Sequence, residues 1–243
     1  MCGIIGYCGK QAAAPLTLEG LKRVEYRGYD SAGVATLFNG QLLVKKDIGK
    51  LSEIETKHNL SSLPGNLAIG HTRWATHGSV TPANAHPHCD STNTVAVVHN
   101  GIIENYQELR RYLTGKGYRF VSETDTEVIP HLIGEEMERG LSLEEAVLAV
   151  MPKLKGSYAF LTISSREPDK IVATRKESPL AIGILGHGYF AASDALAFAG
   201  QADKLMPLDD GEVAVIKADG IEFFDASGNK LDKEARCIDV RWS

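Results

Sequence analysis

At 243 residues, with 43% hydrophobic and 23% charged side chains, the chain has the apolar content to bury one large core of its own. A formal net charge of -5 removes the long-range attraction that nucleic acid or an anionic membrane requires, and no apolar run approaches a membrane span or a signal peptide. A single cytoplasmic domain is the expectation.

Gly3 to Cys8 is a short apolar run bounded by glycines, which predicts a buried strand beginning almost at residue 2. Pro15 opens a helical pattern with Leu18, Leu21 and Val24 at three-residue spacing, and Gly28 follows it. Val34 to Phe38 and Leu42 to Lys46 flank Asn39-Gly40, a strong hairpin signal. Strands are expected at Leu67 to His71 and Thr94 to His99, with a long Thr-, His-, Pro- and Gly-rich connection between them. A helix follows from about Asn105 to Leu113. Two more carry capping boxes, Thr124 with Glu127 and Ser142 with Glu145. Beyond Ser157 the pattern becomes mainly strands: Tyr158 to Ser164, Lys170 to Thr174, Leu180 to Leu185, Tyr189 to Ala192, Glu212 to Lys217 and Ile221 to Asp225. Strands at both ends with helices clustered earlier and in the middle suggest an α+β fold of antiparallel sheets covered by helices.

Cysteines stand at positions 2, 8, 89 and 237 without a C-x-x-C pair, which argues for reduced thiols rather than a disulfide framework. Cys2 is distinctive because a small residue after Met1 permits removal of the initiator, leaving a thiol and a free α-amine on one residue. An amine near pH 8 can accept the proton of a thiol near 8.5. Packing at a strand end is the competing reading. Asn100-Gly101 follows a predicted strand; a hairpin turn is the simpler reading of that dipeptide, and an oxyanion site of amide and backbone N–H donors is the other. Arg73 reads alone as a loop cation, Asp125 as a helix-start carboxylate and Trp74 as core packing. His86-Pro87-His88-Cys89 supplies three potential metal ligands, but no second pair has zinc spacing, so no metal and no cofactor are expected.

Several long motifs in order change this balance: Met1-Cys2-Gly3-Ile4-Ile5-Gly6, Glu25 to Gly33, Gly70 to Gly78, Asn84 to His88, Val98 to Asn105 and Ser122 to Glu127. Together they closely resemble the glutaminase half of the glutamine:fructose-6-phosphate amidotransferase family, along essentially all of the chain. The resemblance implies an N-terminal-nucleophile hydrolase, a four-layer αββα sandwich of two antiparallel sheets between helical layers. It implies Cys2 as nucleophile, Asn100 and Gly101 as oxyanion donors, and Arg73, Trp74, Thr76, His77 and Asp125 around L-glutamine, with Arg27 and Gly28 in support. The Tyr29-Asp30-Ser31 context and the Arg73 to His77 segment favour this family over the phosphoribosyl amidotransferases and asparagine synthetases, which also begin with a catalytic cysteine. A non-catalytic glutamine-binding module would lack the nucleophile or oxyanion donors. The family continues into sugar-phosphate isomerase domains and is expected to be a homodimer at full length. Residues from about Asp232 to Ser243 read as the start of the linker, without a closing element.

Overall fold

A computed structural model describes residues 2–74, 78–202 and 204–237, the side chain of Arg27 excepted. In chain order the elements are β1 (Gly3–Gly9), α1 (Ala13–Val24), β2 (Ser31–Phe38), β3 (Gln41–Ile48), α2 (Leu51–His58), β4 (Leu67–Arg73), β5 (His88–Cys89) and β6 (Val95–Ile103). There follow α3 (Tyr106–Gly115), α4 (Val128–Glu138), α5 (Leu143–Val150), β7 (Gly156–Ser164), β8 (Glu167–Lys176), β9 (Ala181–Leu185) and β10 (Gly188–Ala192). The chain closes with β11 (Lys204–Pro207), β12 (Val213–Lys217), β13 (Gly220–Phe224), β14 (Lys230–Leu231) and β15 (Arg236–Cys237). They form an eight-stranded sheet, β15-β11-β9-β10-β1-β4-β2-β3, and a seven-stranded sheet, β14-β13-β12-β8-β7-β6-β5, in which all the strand pairs are antiparallel.

Alternation along each strand explains why the sheets stack. In β1 the side chains of Ile4 and Cys8 enter the core between the two sheets with Ile69, Val98, Leu161 and Ile171, whereas Ile5 and Tyr7 enter a second core under α1 with Leu18, Leu21 and Phe190. On the far side of the seven-stranded sheet, Val95, Val97 and Phe160 meet Leu113 of α3, Ile129, Leu132 and Ile133 of α4 and Val147 of α5. Three apolar cores between four layers give the αββα sandwich. Because β1 is covered on both faces, all seven of its residues are buried, which accounts for an apolar run without a polar alternate.

Most of the expected elements form, with shifted ends. Asn39 and Gly40 take φ of 50° and 73°, the left-handed pair of a tight turn, and Ser142 with Glu145 closes its capping box. Three expectations are corrected. The hairpin reading of Asn100-Gly101 fails, because β6 runs through both residues, which pair with Ala159 and Tyr158 of β7. Gly101 is required there by crowding: a Cβ would sit 2.2 Å from the Ser157 carbonyl oxygen, at a φ of 111°. The Thr124 capping box does not form either. α4 begins at Val128, Thr124 bonds His88, and the Glu127 carboxylate reaches back to the backbone N–H groups of Val121 and Ser122. Finally, Arg236-Cys237 lies in the stretch read as having no closing element, yet it pairs with Lys204 and Leu205 at the sheet edge. α2, the two-residue strand β5, β11 and β14 had no clear periodic signal.

Candidate active site

β1 is central in its sheet, with β4 on one side and β10 on the other. Its antiparallel register sets Gly3 opposite Thr72, so the residue before Gly3 lies beside the end of β4. There the Trp74 backbone N–H donates to Cys2 Sγ at 3.3 Å, and the thiol lies 3.5 Å from the Trp74 carbonyl oxygen. Burial pushes the Cys2 thiol up from its ordinary range, opposed by the Trp74 N–H and the positive charge of Arg73. A donor already aimed at the sulfur stabilises a thiolate when one forms.

The other sheet supplies the facing wall. Asn100 on β6 donates through Nδ2 to the Cys2 carbonyl oxygen at 3.1 Å. An amide NH2 has two hydrogens, so one remains for a developing oxyanion, with Gly101 next in the strand. Asp125 approaches from the segment before α4, and its Oδ2 accepts the Ile103 N–H at 2.7 Å. That bond replaces the helix-dipole role that its position before a helix suggests. Arg73 is buried at the end of β4, where its guanidinium donates to the carbonyl oxygens of Ser79 and Gly78. Ser79 is in turn tied to Glu123 and Asn84.

Cys2, Arg73, Trp74, Asn100, Gly101 and Asp125 all line one cavity of about 310 Å³, together with His86, His99, Thr124, Ser157 and Ser178. That size suits a small polar metabolite. A larger groove, about 830 Å³ between the sheet edges at β3 and β5, contains none of these six residues. Trp74 is half exposed rather than in a core, and its ring covers Gly28, where a Cβ would lie 2.7 Å from the indole. The absence of a side chain at Gly28 thus leaves room for the Trp74 ring. Thr76, His77 and the Arg27 side chain lie outside the described residues.

Sequence reasoning weighed His86 and His88 as metal ligands and missed how closely the buried histidines underlie the site. His71, His86, His88 and His99 are all buried. His71 and His86 stack at 4.0 Å with their planes 10° apart, and His88 meets His86 edge-on. His88 bonds Thr124 Oγ1 at 3.0 Å and His99 bonds Thr126 Oγ1 at 2.8 Å, bracketing Asp125. Burial lowers the pKa of all four. The available signal was the clustering itself. Among the described residues no group of three or more His, Cys, Asp or Glu is arranged to hold a metal.

The geometry agrees with what similar proteins are. A glutamine amidotransferase domain model matches residues 71–205. The chain belongs to the glutamine amidotransferase domain family. It is 49% identical over 239 residues to a glutamine–fructose-6-phosphate aminotransferase (isomerizing) of Clostridium acetobutylicum, covering 98% of this chain and 39% of that protein. The counterpart from Methanothermobacter thermautotrophicus is 48% identical over 244 residues, covering 100% of this chain and 41% of the relative. This amidotransferase domain thus spans about two fifths of such relatives. Among solved structures, the glutamine phosphoribosylpyrophosphate amidotransferase of B. subtilis superimposes with a TM-score of 0.81 at 30% identity, over 94% of this chain and 50% of that one. The four-layer N-terminal-nucleophile sandwich is common to both.

Proposed function

We propose that this domain hydrolyses L-glutamine to L-glutamate and ammonia through a γ-glutamyl thioester on Cys2. The observation that carries the reading is the convergence of Cys2 Sγ, the Asn100 amide, Gly101, Arg73 and Asp125 on one cavity. Once Met1 has been removed, the Cys2 α-amine takes the thiol proton and the sulfur attacks the side-chain amide carbon. The carbonyl oxygen becomes an oxyanion, held by the second Asn100 N–H and the Gly101 N–H. The amine's proton passes to the departing nitrogen, the C–N bond breaks and ammonia leaves. Water, deprotonated by the same amine, then attacks the thioester; the C–S bond breaks and glutamate is released with the thiol restored. Arg73 faces the substrate α-carboxylate and Asp125 its α-ammonium, the charge pair a free amino acid requires. Thr76 and His77 join the carboxylate side, and Trp74 closes over the substrate.

In the full-length protein we place this domain before sugar-phosphate isomerase domains, reached through a linker that follows β15. The ammonia then converts fructose 6-phosphate into glucosamine 6-phosphate, in a cytoplasmic homodimer. Names and lengths of the relatives support this extension. The test is glutamate release by this chain, with intact mass establishing loss of Met1. Cys2→Ala must abolish release and the glutamyl adduct; equal turnover by both forms rejects the nucleophile.

A further inference from the structure

We infer that His71 is a positioning residue for the oxyanion hole: its Nε2–H, shared between the His99 carbonyl and Asn100 Oδ1, fixes which end of the Asn100 amide faces Cys2. The inference rests on the role given above to Asn100. His71 Nε2 lies 3.0 Å from the His99 carbonyl oxygen and 3.0 Å from Asn100 Oδ1, while Asn100 Nδ2 lies 3.1 Å from the Cys2 carbonyl oxygen.

The two backbone carbonyls settle the proton positions by themselves. A carbonyl only accepts, so the imidazole nitrogen facing His99 must carry hydrogen, and the amide atom facing the Cys2 carbonyl must be nitrogen. It follows that oxygen is the amide atom facing His71. Each end of the chain of bonds demands the same orientation.

The ring has no freedom to choose otherwise. It is fully buried and stacked on His86, whose Nδ1 accepts the His99 N–H at 3.3 Å. His71 Nδ1 has no hydrogen-bond partner among the described residues, so a second proton there would be buried and unsatisfied. Burial, with the neighbouring His99 and Arg73, holds the imidazole neutral, its pKa pushed down to about 3 despite the bond to Asn100. An asparagine amide is nearly symmetric in shape, and sterics alone do not distinguish its two ends. Turned over, it would present oxygen to both the Cys2 carbonyl and the oxyanion. His71 supplies the donor that makes that state unfavourable.

Nitrogen-15 NMR of the His71 ring in the processed wild-type chain at neutral pH tests the geometry without reference to turnover. Hydrogen on Nε2 alone is expected; hydrogen on Nδ1, or on both, overturns the inference. Kinetics test the consequence. His71→Leu fills the site without a donor, and kcat for glutamine hydrolysis should fall on the order of 10- to 100-fold with KM nearly unchanged. His71→Gln, which returns an N–H at similar reach, should recover most of that loss. In an Asn100→Ala background, adding His71→Leu should cost no more than about twofold in kcat, because the two act as one unit. A full multiplicative loss, or no rescue by a folded Gln variant, overturns the positioning role. If Asn100→Ala alone keeps wild-type kcat, the oxyanion reading fails instead, and the NMR result still stands or falls separately.

Discussion

The space between the two sheets has two unlike ends. Around Leu161, Ile163, Ile171 and Ala214 it is wholly apolar, filled by alternate residues of β7, β8 and β12. Around His71 and His86 it is a pair of stacked neutral imidazoles whose nitrogens hold Asn100 and the β6 backbone. Both ends are buried, but they are specified differently. Apolar packing depends on volume and is non-directional, whereas the imidazole pair depends on which atom carries each hydrogen. Sequence freedom is therefore large at one end and small at the other.

The comparison breaks most visibly at the nucleophile's side of the histidine end. Asn100→Ala should lower kcat for glutamine hydrolysis by about 10²- to 10³-fold with little change in KM. Steady-state glutamate release separates the two parameters. Next come Arg73→Lys, which keeps the charge but loses the paired guanidinium donors, and Asp125→Asn, which removes the partner of the substrate ammonium; KM should rise about ten- to a hundredfold while kcat changes less. If kcat falls instead, these residues serve chemistry rather than binding. Glu127→Gln probes the supports below. Its carboxylate is buried, yet the His131 imidazole 3.5 Å away and hydrogen bonds from Ser122 and Val121 outweigh that burial and lower its pKa. A pKa lower in the folded chain than the unfolded value of about 4.3 stabilises above that value and fades as pH falls through the folded one. Denaturation of Glu127→Gln should show a deficit of about 2 kcal/mol at pH 7, shrinking below pH 4. The smallest effect belongs to the apolar end: Ile171→Val should cost about 1 kcal/mol in unfolding free energy with unchanged kcat. A large kcat loss there would mean that the two ends are not separable.

The same contrast sets what was legible in the sequence. β1, the Asn39-Gly40 hairpin and the Ser142–Glu145 helix start are written in local patterns and form as read. The strand conformation of Asn100-Gly101 was not legible, because a local turn signal was outweighed by the pairing of β6 with β7 and by the crowding at Ser157. Thr124 likewise looked like a cap, but its hydroxyl serves His88, 36 residues away. The proposed nucleophile and substrate ligands come from resemblance across several motifs rather than from local pattern. The His71–Asn100 link was not, since it joins two sheets and no spacing along the chain encodes it.

Trp74 joins two properties on one residue. Its amide touches the sulfur of Cys2, and its half-exposed indole forms the rim of the cavity, seated on Gly28. The chain has only two tryptophans, the other being Trp242. With Trp242→Phe, all indole fluorescence comes from the residue that holds the thiol, and the protein carries its own optical probe of whether that pocket is empty or filled.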